Sequence, residues 1–131
     1  MGEIQIGDIV KATYNSCVYI GEVLEDKQNF FLVKVLAVVE HPTQGDLHHR
    51  GQVDGVAFHE RKALAYGEKT NVRKRFLEKY EGDIPDYVES LKQAVTNIKN
   101  ELQKEDTEFN RLSLEKIQDL EKHFYNKIFN E

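Results

Sequence analysis

Residues 30 to 39, FFLVKVLAVV, are apolar on both sides of an extended chain. Phe31, Val33, Val35, Ala37 and Val39 fall on one alternation and Phe30, Leu32, Leu36 and Val38 on the other, with Lys34 the sole exception. A strand in a small antiparallel sheet normally leaves one face wet, so this segment demands a second layer. The C-terminal part can supply it. Tyr87, Leu91, Val95, Ile98 and Leu102 recur at helical steps, as do Phe109, Leu112, Ile117, Leu120, Phe124 and Ile128 beyond a polar KEDT break. Asp83 is a suitable N-cap with Pro85 in the first turn. Two amphipathic helices joined by a short connection predict an antiparallel hairpin lying on the free face of residues 30–39.

Before that strand, IVKATY alternates with period two, Asn15-Ser16 is a short polar turn, and CVYIGEVLED resumes with β-branched and aromatic residues. The pair reads as a hairpin, and Gly21 marks a bulge or sharp coil in its second strand. DKQN turns the chain into residues 30–39. Further on, Val56–Phe58 and Ala63–Tyr66 are short and strand-like, and NVRKRFLEKY resembles the 3₁₀ turn and last strand of SH3-like barrels, with Val72, Phe76 and Leu77 as core contacts. The expected architecture is mainly β plus α: an SH3-like β-barrel over 1–81, followed by a C-terminal antiparallel two-helix hairpin over 82–131 packed on it. Glu81-Gly82-Asp83 is the boundary.

A chain of 131 residues has room for one core, and 40% apolar with 31% charged residues is an ordinary globular composition. No apolar run approaches the length of a membrane helix, and MGEIQIGD has neither a basic nor an apolar leader region. A cytoplasmic protein is expected, reaching the membrane only through a partner. The lone Cys17, inside a strand-like run, reads as a small packed residue. Net charge is −5, yet residues 59–80 carry 7 basic against 3 acidic groups. Nucleic acid would be repelled at long range unless that middle patch faced one way.

EHPTQGDLHHRG, residues 40–51, gathers His41, Asp46, His48 and His49, with His59 close behind. Pro42 stops the strand at Glu40, and a polar loop of roughly 15 residues follows, longer than a compact domain needs. Imidazole and carboxylate could bind zinc, iron or nickel, but no HExxH, CxxC or repeated ligand pair is present. His59 and Glu60 with Asp46 could form an acid–base pair, but neither a nucleophile motif nor a phosphate-cradling glycine loop accompanies them. The favoured reading makes these side chains partners of loop backbone, with part of the loop exposed for recognition. Arg73-Lys74-Arg75 suits an acidic or phosphorylated partner, against the plainer alternative of pairing with the acidic helices.

GDIVKATYNSCVYIGEV, HPTQGDLHH, FHERKALAYGEKTNV and YEGDIPDYVESL, in that order, resemble the kinase-associated protein B family of spore-forming bacteria over nearly the whole chain. The resemblance implies an SH3-like barrel with added helices and a non-enzymatic adaptor that activates a sporulation sensor histidine kinase, kinase B, ahead of a phosphorelay. It carries over no catalytic residue, cofactor or metal. The family is also labelled a lipoprotein, whereas Cys17 here follows Tyr14-Asn15-Ser16 rather than a small-residue box. The partner surface is expected at His41, Pro42, Gln44, Asp46, His48, His59 and Arg61, with Arg73, Lys74 and Arg75. An SH3-like nucleic-acid or ribosome-associated module is the alternative.

Overall fold

The computed structural model describes residues 3–45 and 60–130. Strands β1 (Ile9–Tyr14), β2 (Cys17–Lys27), β3 (Phe30–Glu40), β4 (Lys69–Arg73) and β5 (Leu77–Lys79) form one antiparallel sheet in the order β4-β3-β2-β1-β5. A 3₁₀ turn, Lys74–Phe76, separates β4 from β5. Among the described residues no ladder joins β4 to β5, so the sheet is open rather than a closed barrel.

The turns follow from residue chemistry. Asn15 (φ 48°) and Ser16 (φ 70°) both take left-handed backbone, the combination that matches a two-residue hairpin to strand twist. Gln28 (φ 69°) turns β2 into β3, and its N–H donates to Asp26 Oδ1 at 3.1 Å.

The doubly apolar strand is used differently from the expectation. Directly opposed residues of antiparallel strands share a face, so the pairs Tyr19–Val38, Gly21–Val35 and Val23–Val33 all point one way. Val35 and Val38 sit three residues apart and would alternate apart in a regular strand. Between the pairs Ile20–Ala37 and Gly21–Val35 the register shifts, making Leu36 an extra residue that returns Val38 to the side of Val35. Two adjoining clusters therefore occupy one face. Phe31 and Val33 pack with Val10, Ala12, Val23 and Val72, while Val35 and Val38 pack with Leu91, Val95, Ile117 and Leu120. The helices prolong the interior instead of covering the opposite side, where Ile20 and Ala37 are buried and Leu32 and Leu36 are half-buried.

Gly21 is required by a close approach. A Cβ at this position would overlap Val33 Cγ1 and stand 2.7 Å from the Lys34 carbonyl oxygen.

Helix α1 (Tyr87–Gln103) starts later than expected, because its N-cap is Asp86, whose carboxylate accepts from Glu89 N, and not Asp83. Pro85 thus precedes the helix and holds the connecting chain extended. Thr107 caps α2 (Glu108–Leu120), accepting from Asn110 N at 3.0 Å. The helices run antiparallel: Lys99 pairs with Glu121 at 2.9 Å, and Lys92 lies over the Phe129 ring. Beyond Leu120 the rod widens into a π-helical turn, Glu121–Tyr125, before α3 (Asn126–Phe129). The extra residue rephases the stripe. Tyr125 takes the core position at 1% exposure, and Phe124, expected inside, is 43% exposed.

The sheet and α1 are also joined by hydrogen bonds. Where bulges interrupt the ladder, Val38 N donates to Ser90 Oγ at 3.0 Å, and Ser90 Oγ donates to Tyr87 O at 2.8 Å. Two expectations near the last strands need correction. Ala63–Ala65 belong to no strand and Tyr66 lies in a turn, and Phe76 is 45% exposed, whereas Val72 is in the core. Val56–Phe58 lies outside the described residues.

Replacing Gly21 with alanine is expected to cost about 2 kcal/mol or more, since Val33 and the β3 backbone must both give way. Urea unfolding should show a lower midpoint at unchanged slope; an unaltered midpoint would contradict the close approach.

Candidate functional site

The start of the polar stretch is built into the interior. His41 is 4% exposed and Gln44 2% exposed, and Pro42 is buried beside them. Residues 60–65 return alongside without a strand partner, so their backbone polar groups must be satisfied by side chains. Gln44 does so at both its ends: Oε1 accepts from Arg61 N at 2.8 Å, and Nε2 donates to Arg61 O at 2.9 Å and to Pro42 O at 3.1 Å. Arg61 Nε donates to Gly45 O at 2.9 Å. Three tyrosines complete the set. Ala63 N donates to Tyr125 Oη at 3.0 Å, Leu64 N donates to Tyr19 Oη at 2.9 Å, and Tyr87 Oη donates to Leu64 O at 2.6 Å.

His41 ties this arrangement to the π-helical turn. Nδ1 lies 3.0 Å from Pro42 O, which can only accept, so the ring proton sits on Nδ1. Nε2 then accepts from Tyr125 Oη at 2.7 Å, while the same oxygen accepts from Ala63 N. Burial pulls the His41 pKa down from 6.5 to about 4, with the Pro42 carbonyl opposing. A neutral imidazole with both nitrogens engaged is a structural link and has no lone pair to offer a metal. Burial likewise pushes Tyr87 up to about 12 and raises Tyr125 and Tyr19. These phenols are hydrogen-bonding posts, not acids.

Cys17 is equally internal. It is 1% exposed in β2, its thiol faces the Glu40 carbonyl at 2.9 Å, and burial pushes it up to about 12.

The basic strip divides by function. Lys74 is consumed internally: Nζ reaches Asp26 Oδ1 at 2.6 Å and stands 4.5 Å from the Phe31 ring centre. Arg73 and Arg75 are exposed and, among the described residues, neither forms an ion pair. Each instead lies over a ring. Arg73 stacks 5.1 Å from the centre of Phe30, its cross-strand neighbour, and Arg75 lies 4.8 Å from that of Phe76. Arg73 thus takes its aromatic partner from β3, and Arg75 from the next residue, at the end of the 3₁₀ turn.

Of the residues expected to form a partner surface, Pro42, His41 and Gln44 are buried and Arg61 is half-buried. Lys74 is partly exposed, and Arg73 and Arg75 face solvent. Asp46, His48, His49 and His59 lie outside the described residues. Sequence reasoning missed Tyr125, Tyr19 and Tyr87 as anchors. No local signal separates an anchoring tyrosine from a core aromatic, because the groups it satisfies come from distant segments.

Two outcomes follow from this geometry. Above pH 6.5, His41 is neutral in both folded and unfolded chains; between about 6.5 and 4 only the unfolded chain takes up a proton. The His41 contribution to stability should therefore fall as pH is lowered through that window, by up to about 3 kcal/mol, and change no further below it. Urea midpoints should follow this course, and a His41→Gln variant should lack this component. Tyr125→Phe strands Ala63 N and His41 Nε2 and should cost about 1–3 kcal/mol, measured by thermal or urea unfolding.

The relatives agree with this chain over almost its full length. A family profile described as "Kinase associated protein B" matches residues 14–125. The "Kinase-associated lipoprotein B" of Bacillus subtilis (strain 168) is 45% identical over 127 residues, covering 97% of this chain and 99% of that protein. The crystal structure of kinase-associated protein B from Bacillus cereus superposes with a TM-score of 0.80 at 42% identity, covering 92% of this chain and 97% of the other. The arrangement of sheet and helices is therefore that of a solved relative, and the chain belongs to the kinase-associated protein B family.

Proposed function

We propose that this chain is a non-enzymatic accessory protein that promotes signalling by a membrane sensor histidine kinase of sporulation, kinase B, through protein–protein contact. Membership of a family named for kinase association carries the reading. His41, the one histidine of residues 40–51 among the described residues, supports it, since both its ring nitrogens are engaged, and Gln44 is likewise spent on holding the backbone. No helix among the described residues is long and apolar enough to cross a membrane. The relative's name includes "lipoprotein", but Cys17 of this chain is a core residue of β2. We place the protein on the cytoplasmic side, reaching the membrane through its kinase.

The strand order, the bulged β3 and the 3₁₀ turn before β5 support reading residues 1–81 as an opened SH3-like barrel. Residues 82–131 are then its helical attachment. Docking uses the loop that starts at His41 together with the basic strip at 73–75. His41, Pro42, Gln44 and Arg61 act there by fixing the backbone on either side of residues 46–59, rather than by touching the partner. The mechanism is preferential binding to the active conformation of the kinase, which shifts its population without any covalent step.

The direct test is autophosphorylation of the full-length sensor kinase in lipid vesicles, with and without the purified chain. A several-fold faster rate is expected at saturation, and a rate unchanged at concentrations well above those in the cell would refute the proposal.

A further inference from the structure

The cleft beside Arg73 has the composition of a peptide site. It holds about 410 Å³ and lies between the Tyr14–Ser16 turn and the Asn71–Phe76 corner, with Phe30 along its side. One wall is fixed by the left-handed pair Asn15 and Ser16, and Ser16 Oγ accepts from Thr43 N at 2.9 Å, so the turn is tied to the loop exit. The other wall presents Arg73 held over Phe30, followed by the half-exposed ring of Phe76 under Arg75. A second cleft continues past Phe76 along Val18, Glu40, Arg75 and Glu78.

Charge decides what suits it. The chain carries 23 carboxylates against 18 basic side chains, a surplus that could neutralise every lysine and arginine. Even so, Arg73 and Arg75 reach none among the described residues, while Lys74 between them does. Aromatic stacking holds both guanidiniums in place, which lowers the entropy lost on gripping an anion. Because guanidinium groups lie over the rings of Phe30 and Phe76, those faces are not free to stack nucleobases, and the net charge of −5 repels a polyanion.

We propose that this cleft binds an extended, acidic protein segment. One carboxylate pairs with Arg73, and a neighbouring apolar side chain lies between Phe30 and Phe76. Arg75 contributes at the rim, where Glu40 and Glu78 of the adjoining cleft partly offset its charge and set a limit on how acidic the far end of the segment can be. The inference rests on the kinase-accessory reading in one respect only, that the segment belongs to the kinase or a protein bound to it.

The probe is a synthetic peptide, Gly-Glu-Glu-Leu-Asp-Gly, titrated into the full chain and followed by backbone amide shifts. Shifts confined to Thr13–Ser16, Phe30 and Asn71–Phe76 are expected. Arg73→Glu should weaken binding by about tenfold or more, and Phe76→Ala should weaken it as well. The remote control Lys104→Glu, on the hairpin, should leave affinity unchanged, and spectra of the free variants check that each is folded. Shifts elsewhere, no binding at millimolar peptide, or equal affinity of wild type and Arg73→Glu would overturn the proposal. So would displacement of the peptide by a single-stranded RNA whose own binding is lost in Arg73→Glu. The same variants in the kinase assay separate the two readings. Peptide binding at the cleft without kinase stimulation would leave the cleft and remove the kinase; stimulation undiminished by Arg73→Glu would do the reverse.

Discussion

The hydroxyl of Tyr125 is the junction on which the rest depends. It donates to a histidine at the end of β3, accepts from the backbone of the returning segment, and is carried by the C-terminal rod. Three parts of the chain far apart in sequence are fixed at one buried atom, where an unmet donor or acceptor would be costly. Tyr19 and Tyr87 repeat the device one residue further along, so side chains do for this stretch what a strand partner would do for its backbone. The sheet, the loop exit and the helices are consequently parts of one packed body. The larger apolar cluster says the same, because it draws residues from β2, β3, α1 and α2.

This arrangement separates holding from presenting. Among the described residues, His41 and Gln44 lie inside with their polar atoms occupied, whereas the guanidiniums of Arg73 and Arg75 at the β4 corner are exposed and form no ion pair. A body of this kind suits a protein that works by offering a surface. Its described interior holds a neutral imidazole, phenols raised by burial, and a thiol pushed up to about 12.

Much of this was legible in the residues. Period-two alternation placed β1, β-branched and apolar runs placed β2 and β3, the Asn15-Ser16 turn gave the first hairpin, and the stripes at Leu91, Val95, Ile117 and Leu120 gave the helical pair, because each pattern is a local response to burial. What stayed hidden depends on single-residue offsets. One extra residue at Leu36 turned a strand that seemed to need cover on both sides into one that feeds a continuous interior. Another at the π-helical turn exchanged Phe124 for Tyr125. Both offsets are set by tertiary packing, and nothing in the neighbouring residue types announces them. The role of His41 was readable only as a class, a side chain serving backbone, since its partner lies 84 residues away.

The wide turn at Glu121–Tyr125 also bears on how such chains can change length. Its additional residue is absorbed locally, so that Leu120 and Tyr125 still face the interior although five positions separate them. A homologous rod one residue shorter at this point could place the same two side chains with an ordinary helical step of four. A gap of one at this point would thus be structurally silent, and an alignment that shifted the tyrosine to avoid it would misplace the anchor of the whole body.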